Sequence, residues 1–404
     1  MSDRRDLLIL GGGLVGMTLA LTAARKGMTS HVVDRADPAD LTAEGFDGRA
    51  TAISTASWRL FRNIGLADTL EPLGCAIESI AVTDQLKPGR IDFRPEPHEG
   101  SLGRMFPNRI LRQTLFDAAK DEPAIAWHSK AEIANRERGE HGVAVELSNG
   151  KRLDASVMVA AEGRASPTRE QAGIPVARWQ YDHHAIIAGL THEKPHDGVA
   201  WEIFYPAGPF ALLPLLDDEA GQHRSALVWT VSEKDAAGYL KLGDRAFLSE
   251  AQEGMGDILG KVTSVGPRSS YPLGFHHTAK ITGTRLALVG DAGHGIHPIA
   301  GQGLNLGLRD VGALVDVLDE GMRLGLDPGD AQLLKRYEDW RGLDAFSVAV
   351  ATDTLTRLFG IPGRTASAIR RLGMSGVQRI PTLKTWFMDE ARGVSGDVPE
   401  LMRA

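Results

Sequence analysis

The chain has 404 residues, 43% hydrophobic and 24% charged, which describes a water-soluble protein too long for one hydrophobic core. Its net charge of −7 argues against nucleic-acid binding as a general role, and its one cysteine, Cys75, excludes an intrachain disulfide, a Cys-x-x-Cys redox pair and a thiolate zinc site. The apolar stretch before Gly11 is too short for a signal peptide, and no run approaches the roughly 18 residues of a membrane span, so a cytoplasmic protein is expected.

Leu7 to Leu10 reads as a short buried strand that ends at Gly11-Gly-Gly13-Leu-Val-Gly16. Gly16, Ala20 and Ala24 then share one face of a helix, a face narrow enough to pack closely on a sheet. A second strand, about Ser30 to Val33, ends in Asp34. Strand, glycine turn, helix, strand and distal acid together form a Rossmann unit. Its glycines let the backbone approach a pyrophosphate, and the acid bonds a ribose hydroxyl.

Gly48 to Ser54 follows, with Ser54 or Thr55 placed to cap a helix through Trp58 and Phe61. Arg49 faces a pyrophosphate or lies on the surface. From Ile77 to Phe106 the chain reads as short strands broken by Lys87-Pro88-Gly89 and Arg94-Pro95. Asn108 to Lys120 reads as a helix whose first turns carry Arg109 and Arg112, against the helix dipole. They are either exposed or paired with an anion such as a phosphate.

Glu132–Asn135, Val143–Leu147 and Arg152–Asp154 have the pattern of a β-meander. Val157 to Ala161 is a further buried strand, ended by Glu162-Gly163-Arg164. Between Tyr181 and Tyr271 the pattern is antiparallel strands: Ala185–Leu190, Val199–Tyr205, Pro209–Leu216 and Ser225–Val231. Trp201, Phe204, Tyr205, Phe210, Leu212 and Trp229 either line an apolar pocket here or form ordinary core.

Arg285 to Asp310 is the densest stretch. An apolar run ends at Gly290-Asp291, a glycine-rich loop follows, and helical spacing resumes at Leu304. Such a loop brings backbone N–H groups close to an anionic or electron-rich ligand. His294 and His297 offer too few ligands for a metal site. Another helix starts near Asp330. Residues 357–393 then hold seven basic side chains and two acids, interleaved with apolar residues. This basic tail suits an anionic membrane surface or a partner, or it is a solvated helical cap.

No second dinucleotide fingerprint is present. Glu253 to Gly260 has the glycines without a preceding strand, and the loop at 290–307 has the wrong spacing. One dinucleotide is therefore held durably, and the chemistry comes from the cofactor.

Gly11-x-Gly-x-x-Gly16, Ala161-Glu-Gly-x-x-Ser166-x-x-Arg169 and the Gly290 to Asp310 motif, in that order, resemble the class A flavoprotein monooxygenases. Gly48 to Ser54, Pro209 to Leu215 and His297 to Asp310 are similar to the UbiH-type hydroxylases of ubiquinone biosynthesis within that class. The resemblance spans nearly the whole chain. It departs at Glu162, where the family usually has Asp, at Gly293, usually Ala, and at Asp34, where Glu is common.

The resemblance implies a p-hydroxybenzoate hydroxylase-like α/β fold. A Rossmann-type FAD-binding domain (1–72, 107–180, 276–330) would interleave with a mostly antiparallel substrate domain (73–106, 181–275), followed by C-terminal helices (331–404). It implies tightly bound, non-covalent FAD, with NAD(P)H as transient reductant, O2 as co-substrate and no bound metal. Gly11, Gly13, Leu14, Val15 and Gly16 would hold the pyrophosphate, and Asp34 with Arg35 the adenosine ribose. Arg49 and Arg112 would reach the phosphates or ribityl chain, and Asp291 the ribityl or pyrophosphate part. Gly301, Gly303, Leu304 and Asn305 would edge the flavin ring, with Glu162 and Gly163 beside flavin and nicotinamide. Pro298 would face the substrate, with Tyr205, Phe210 and Leu212 as the pocket candidates that the strand pattern offers, and no catalytic acid or base is assigned.

The leading expectation is hydroxylation of a polyprenylated phenol on the ubiquinone pathway, in the cytoplasm or peripheral on the inner membrane face. The alternatives are a hydroxylase of a soluble aromatic compound and a flavin-binding scaffold subunit of a membrane-associated complex.

Overall fold

A computed structural model describes residues 4–37, 49–96, 98–295, 302–342 and 381–404. Its first sheet is built on the parallel strands Leu286–Leu288, Arg152–Ala160, Arg5–Leu10, Ser30–Val33 and Ile125–His128, in that spatial order. Leu7, Leu8, Ile9 and Leu10 are completely buried, because helices cover the sheet and leave no polar face for its central strand. The helices Leu14–Arg25, Asn108–Lys120 and Gln302–Arg323 contribute to that cover.

Strand Arg5–Leu10 has its successor Ser30–Val33 on one side and the much later Arg152–Ala160 on the other. The strand order therefore reverses at Gly11, the point where open α/β sheets form a ligand crevice at their carboxyl edge. Gly11, Asp34, Ala161 and Gly290 all lie at that edge. The meander is also present: Ile133–Arg138 and Val143–Leu147 pair antiparallel, and Val143–Leu147 pairs with the first half of Arg152–Ala160.

The second sheet has nine strands and is antiparallel except where Val199–Tyr205 runs parallel to Ser79–Asp84. Its central strand, Val176–His192, is 17 residues long, far longer than the Ala185–Leu190 segment read from the sequence. The polar stretch Gln180–His184 breaks the apolar pattern, and the register shifts there as well. The helices Glu233–Lys241 and Asp244–Met255, not foreseen from the sequence, cover one face. There Phe210, Leu212, Leu227 and Phe247 form a sealed core.

A small third sheet pairs Gly103–Pro107 with both Ala50–Ser54 and Cys75–Ile77. It packs against the opposite face of the large sheet through Met105, Ala200, Leu215 and Ala226. In the C-terminal part, helix Pro381–Arg392 is anchored by Arg392, which is buried and bonded to the Glu99 carboxylate and to its carbonyl at 3.2 Å. Trp386 on that helix stays 47% exposed. Most of the basic region 357–393 lies outside the described residues.

Candidate functional site

The carboxyl edge of the parallel sheet and the helix-free face of the large sheet enclose a cleft of about 560 Å³. One wall is backbone-rich: Gly13, Leu14, Val15, Ala161, Gly163, Asp291, Gly303 and Leu304. The facing wall is made by strand residues of the large sheet.

The glycines at the first turn have different jobs. Gly11 has φ +104, and a Cβ there would lie 2.5 Å from the Ala161 carbonyl oxygen. A Cβ on Gly16 would lie 1.9 Å from the Gly11 oxygen. Both let chain segments cross at contact distance. Gly13 is the exception: it is in ordinary extended geometry, and a Cβ there would meet no described atom within 4 Å. It is the N-cap of helix Leu14–Arg25 with no side-chain cap bond, so the helix start is open to an anion. Gly303 is equally open on the opposite lip.

Asp34 accepts from the Gly12 N–H at 2.5 Å and from the Ala36 N–H at 2.7 Å. Its short side chain thereby ties the end of the second strand to the glycine turn. Arg35 and Arg49 are exposed, and Arg112 is half-buried in the cleft wall beside Asn108. Asp291 pairs with Arg164 at 3.2 Å.

Two residues expected at the cofactor use their side chains elsewhere. Glu162 accepts from Ser166 Oγ at 2.6 Å and the Thr168 N–H at 3.2 Å, and pairs with Arg136 at 3.2 Å. Its carboxylate braces helix Pro167–Gln171 rather than lining the cleft. Asn305 accepts from the Ser54 N–H at 2.9 Å and donates to the Ala52 carbonyl at 2.8 Å. It clamps the start of helix Gln302–Arg323 to strand Ala50–Ser54. Pro298 and Gly301 lie outside the described residues.

Two buried polar constellations hold these turns. Arg169, wholly buried, donates to the carbonyls of Ala292 at 2.9 Å and Arg164 at 2.8 Å, joining the two strand-end loops. Asp310 accepts from the Gly290 N–H at 2.8 Å, His294 Nε2 at 2.6 Å and Arg341 Nε at 2.8 Å. Burial opposes ionisation of Asp310, but the charges and hydrogen bonds of His294 and Arg341 outweigh it and hold its pKa below the usual value. His294 is thus part of the scaffold under Asp291.

Three of the sequence-derived substrate residues, Tyr205, Phe210 and Leu212, lie on the face away from the cleft. Phe210 and Leu212 are buried in the core under the helices, and Tyr205 donates to the Gly254 carbonyl at 2.7 Å on that side. The cleft is lined by the alternate residues of the same strands: Glu202, Pro209, Ala211, Leu213, Val228 and Thr230, with Tyr271 beside them. Successive strand residues point to opposite faces, and both faces here are apolar, so alternation carried no sign of which face met the cleft. One signal was available. Glu202 is the only charged residue in Val199–Tyr205.

The family pattern described as FAD binding domain matches residues 4–350. Ubiquinone hydroxylase UbiL of Rhodospirillum rubrum is 42% identical over 98% of this chain and 92% of its own. The 3-demethoxyubiquinol 3-hydroxylase of Escherichia coli is 32% identical over 96% of this chain and 98% of its own. The chain belongs to the UbiH-type family of FAD-dependent monooxygenases. The structure of p-nitrophenol 4-monooxygenase PnpA from Pseudomonas putida covers 98% of this chain and matches over 99% of its own, with a TM-score of 0.79 at 15% identity, a likeness of fold. The cofactor of this family is FAD, and the cleft fits it: open backbone at Gly13 and Gly303, an uncapped helix start, and Arg112 in the wall.

Proposed function

We propose that the protein hydroxylates the aromatic ring of a polyprenylated phenol in ubiquinone biosynthesis, using FAD, NAD(P)H and O2. The observation that carries this reading is the end-to-end 42% identity to a ubiquinone hydroxylase. The cleft agrees, since a glycine cradle and an apolar strand face meet across it.

In this proposal Gly11, Gly13, Leu14, Val15 and Gly16 hold the pyrophosphate at the helix start, and Asp34 orients the turn that does so. Arg112 and Asp291 bind the phosphates and ribityl chain, while Gly163, Gly303 and Leu304 edge the flavin ring. Reduced FAD, when bound, supplies the electrons that activate O2 for ring hydroxylation. The chain's own part is to orient the ring against that edge and to exclude water with Pro209, Ala211, Leu213 and Val228. Residues 1–72, 107–180 and 276–330 serve the cofactor, and 73–106 with 181–275 serve the substrate. Among the described residues no helix is long and apolar enough to cross a membrane. Exposed Trp386 and the basic content of 357–393 support docking on an anionic membrane surface, where a polyprenyl substrate resides.

The test is deletion in the native organism with mass spectrometry of quinones. An accumulated intermediate lacking one ring oxygen, restored by the wild-type gene, is the expected result. Unchanged quinone content overturns the pathway assignment.

A further inference from the structure

Glu202 lies in a row across the large sheet that reads Val82, Glu202, Ala211, Val228, Ile187. Every neighbour in the row is apolar. The residue lines the cleft and is 9% exposed. Among the described residues no hydrogen bond or ion pair reaches it. A buried carboxyl without a partner destabilises a fold, so packing gives no reason for its presence. The cleft does, because Glu202 is the one carboxylate set among the mostly apolar residues of its strand-face wall, Pro209, Ala211, Leu213 and Val228.

We infer that Glu202 is the acceptor for the phenolic hydroxyl of the substrate, binding that O–H and taking its proton. This rests on the reading of the substrate as a phenol. The phenol O–H bond breaks and an O–H bond forms on the Glu202 carboxylate. The electron pair stays on the phenolate oxygen and enriches the ortho and para carbons, where hydroxylation occurs. When the hydroxylated ring regains aromaticity, its displaced ring proton leaves to solvent and Glu202 returns its own proton to the oxygen.

The titration of the group suits that task. Burial alone raises the pKa of Glu202 to about 7, near the pH at which an acid–base group works in both directions. The other charged or titratable residues of the cleft are Arg112, Arg164, Asp291 and Tyr271. On the neighbouring strand Asp84 shares the face, with Lys87 4.0 Å away. None of these contributes to the shift. Burial also raises the pKa of Tyr271, opposed by Arg164, which keeps that hydroxyl protonated.

The experiment measures dissociation constants of 2-prenylphenol and its methyl ether for FAD-loaded wild type, Glu202→Gln and Glu202→Leu, between about pH 5 and 9. Wild type is expected to prefer the phenol on the order of tenfold or more, with the preference growing as pH rises through about 7. Glu202→Gln keeps a preference without the pH step, and Glu202→Leu loses it. A wild type without preference, a step that persists in Glu202→Gln, or a Glu202→Leu variant that discriminates like wild type overturns the inference. Wild type that shows the preference but forms no hydroxylated product overturns the proposed reaction instead and leaves the acceptor role standing.

Discussion

Replacing Glu202 by Gln should stabilise the protein, and by an amount that depends on pH. The carboxyl titrates near 4.5 in an unfolded chain and at about 7 in the folded protein, through desolvation. Below pH 4.5 it is protonated in both states and its ionisation costs nothing. Between the two values the unfolded chain releases the proton while the folded one retains it, so stability falls as pH rises. Above about pH 7 the whole penalty is present. At about 1.36 kcal/mol per pKa unit it amounts to about 3 kcal/mol. With an unfolding entropy of roughly 2.1 cal/mol/K per residue, a chain of this length converts that into about 4 °C of Tm. The assay is thermal unfolding of both proteins, followed by circular dichroism at saturating FAD, from about pH 4.5 to 8. The Tm gap should widen with pH in favour of Glu202→Gln, in the opposite sense to removal of an ion-paired carboxylate. A gap that stays constant or narrows refutes the claim that Glu202 is buried and unpaired.

Gly13→Ala should fold normally yet lose FAD affinity on the order of tenfold, read by flavin fluorescence titration, since its methyl group enters the open cradle. Gly16→Ala, whose Cβ would lie 1.9 Å from the Gly11 oxygen, should instead lower yield and Tm as well as flavin content. Ala211→Phe should fill the cleft and raise KM for prenylphenols while flavin content holds, whereas Phe210→Ala on the other face should cost about 3–5 kcal/mol of stability; equal effects of the two on KM contradict the assignment of faces. Asp310→Ala, which takes a buried carboxylate from Arg341 and His294, should cost about 3–5 kcal/mol in a denaturant titration and weaken flavin retention, because the Gly290 N–H loses its acceptor.

Most of the parallel sheet was readable because its signals are local, although its edge strand Ile125–His128 was not read from the sequence. Leu7–Leu10, Val157–Ala160 and the Val32-Val33 end of Ser30–Val33 are short apolar stretches cut off by glycine or acid, and a buried strand followed by a tight turn leaves just that trace. The boundaries of the long strand Val176–His192 were not readable. Its polar middle interrupts the apolar pattern, and only pairing with Ser269–Thr278 on both sides of the register shift joins its two halves into one strand. The small sheet joining Ala50–Ser54, Cys75–Ile77 and Gly103–Pro107 is likewise a product of long-range pairing.

At the site the division is similar. Residue identity and spacing alone determined the glycine turn at Gly11–Gly16, because glycine is required where backbones cross at contact distance, as at Gly11 and Gly16, and that need is written at fixed offsets. They did not determine where a long side chain ends. Glu162 and Asn305 turn into the scaffold since the groups that capture them, Arg136, Thr168 and the strand at Ala52–Ser54, are brought near only by folding. The tertiary structure also decided which face of the antiparallel strands meets the cleft. Apolar alternation is symmetric when one face packs on helices and the other lines a largely apolar wall, so within Gly208–Leu215 nothing tells Phe210 and Ala211 apart, and only Glu202 on the paired strand marks the cleft side.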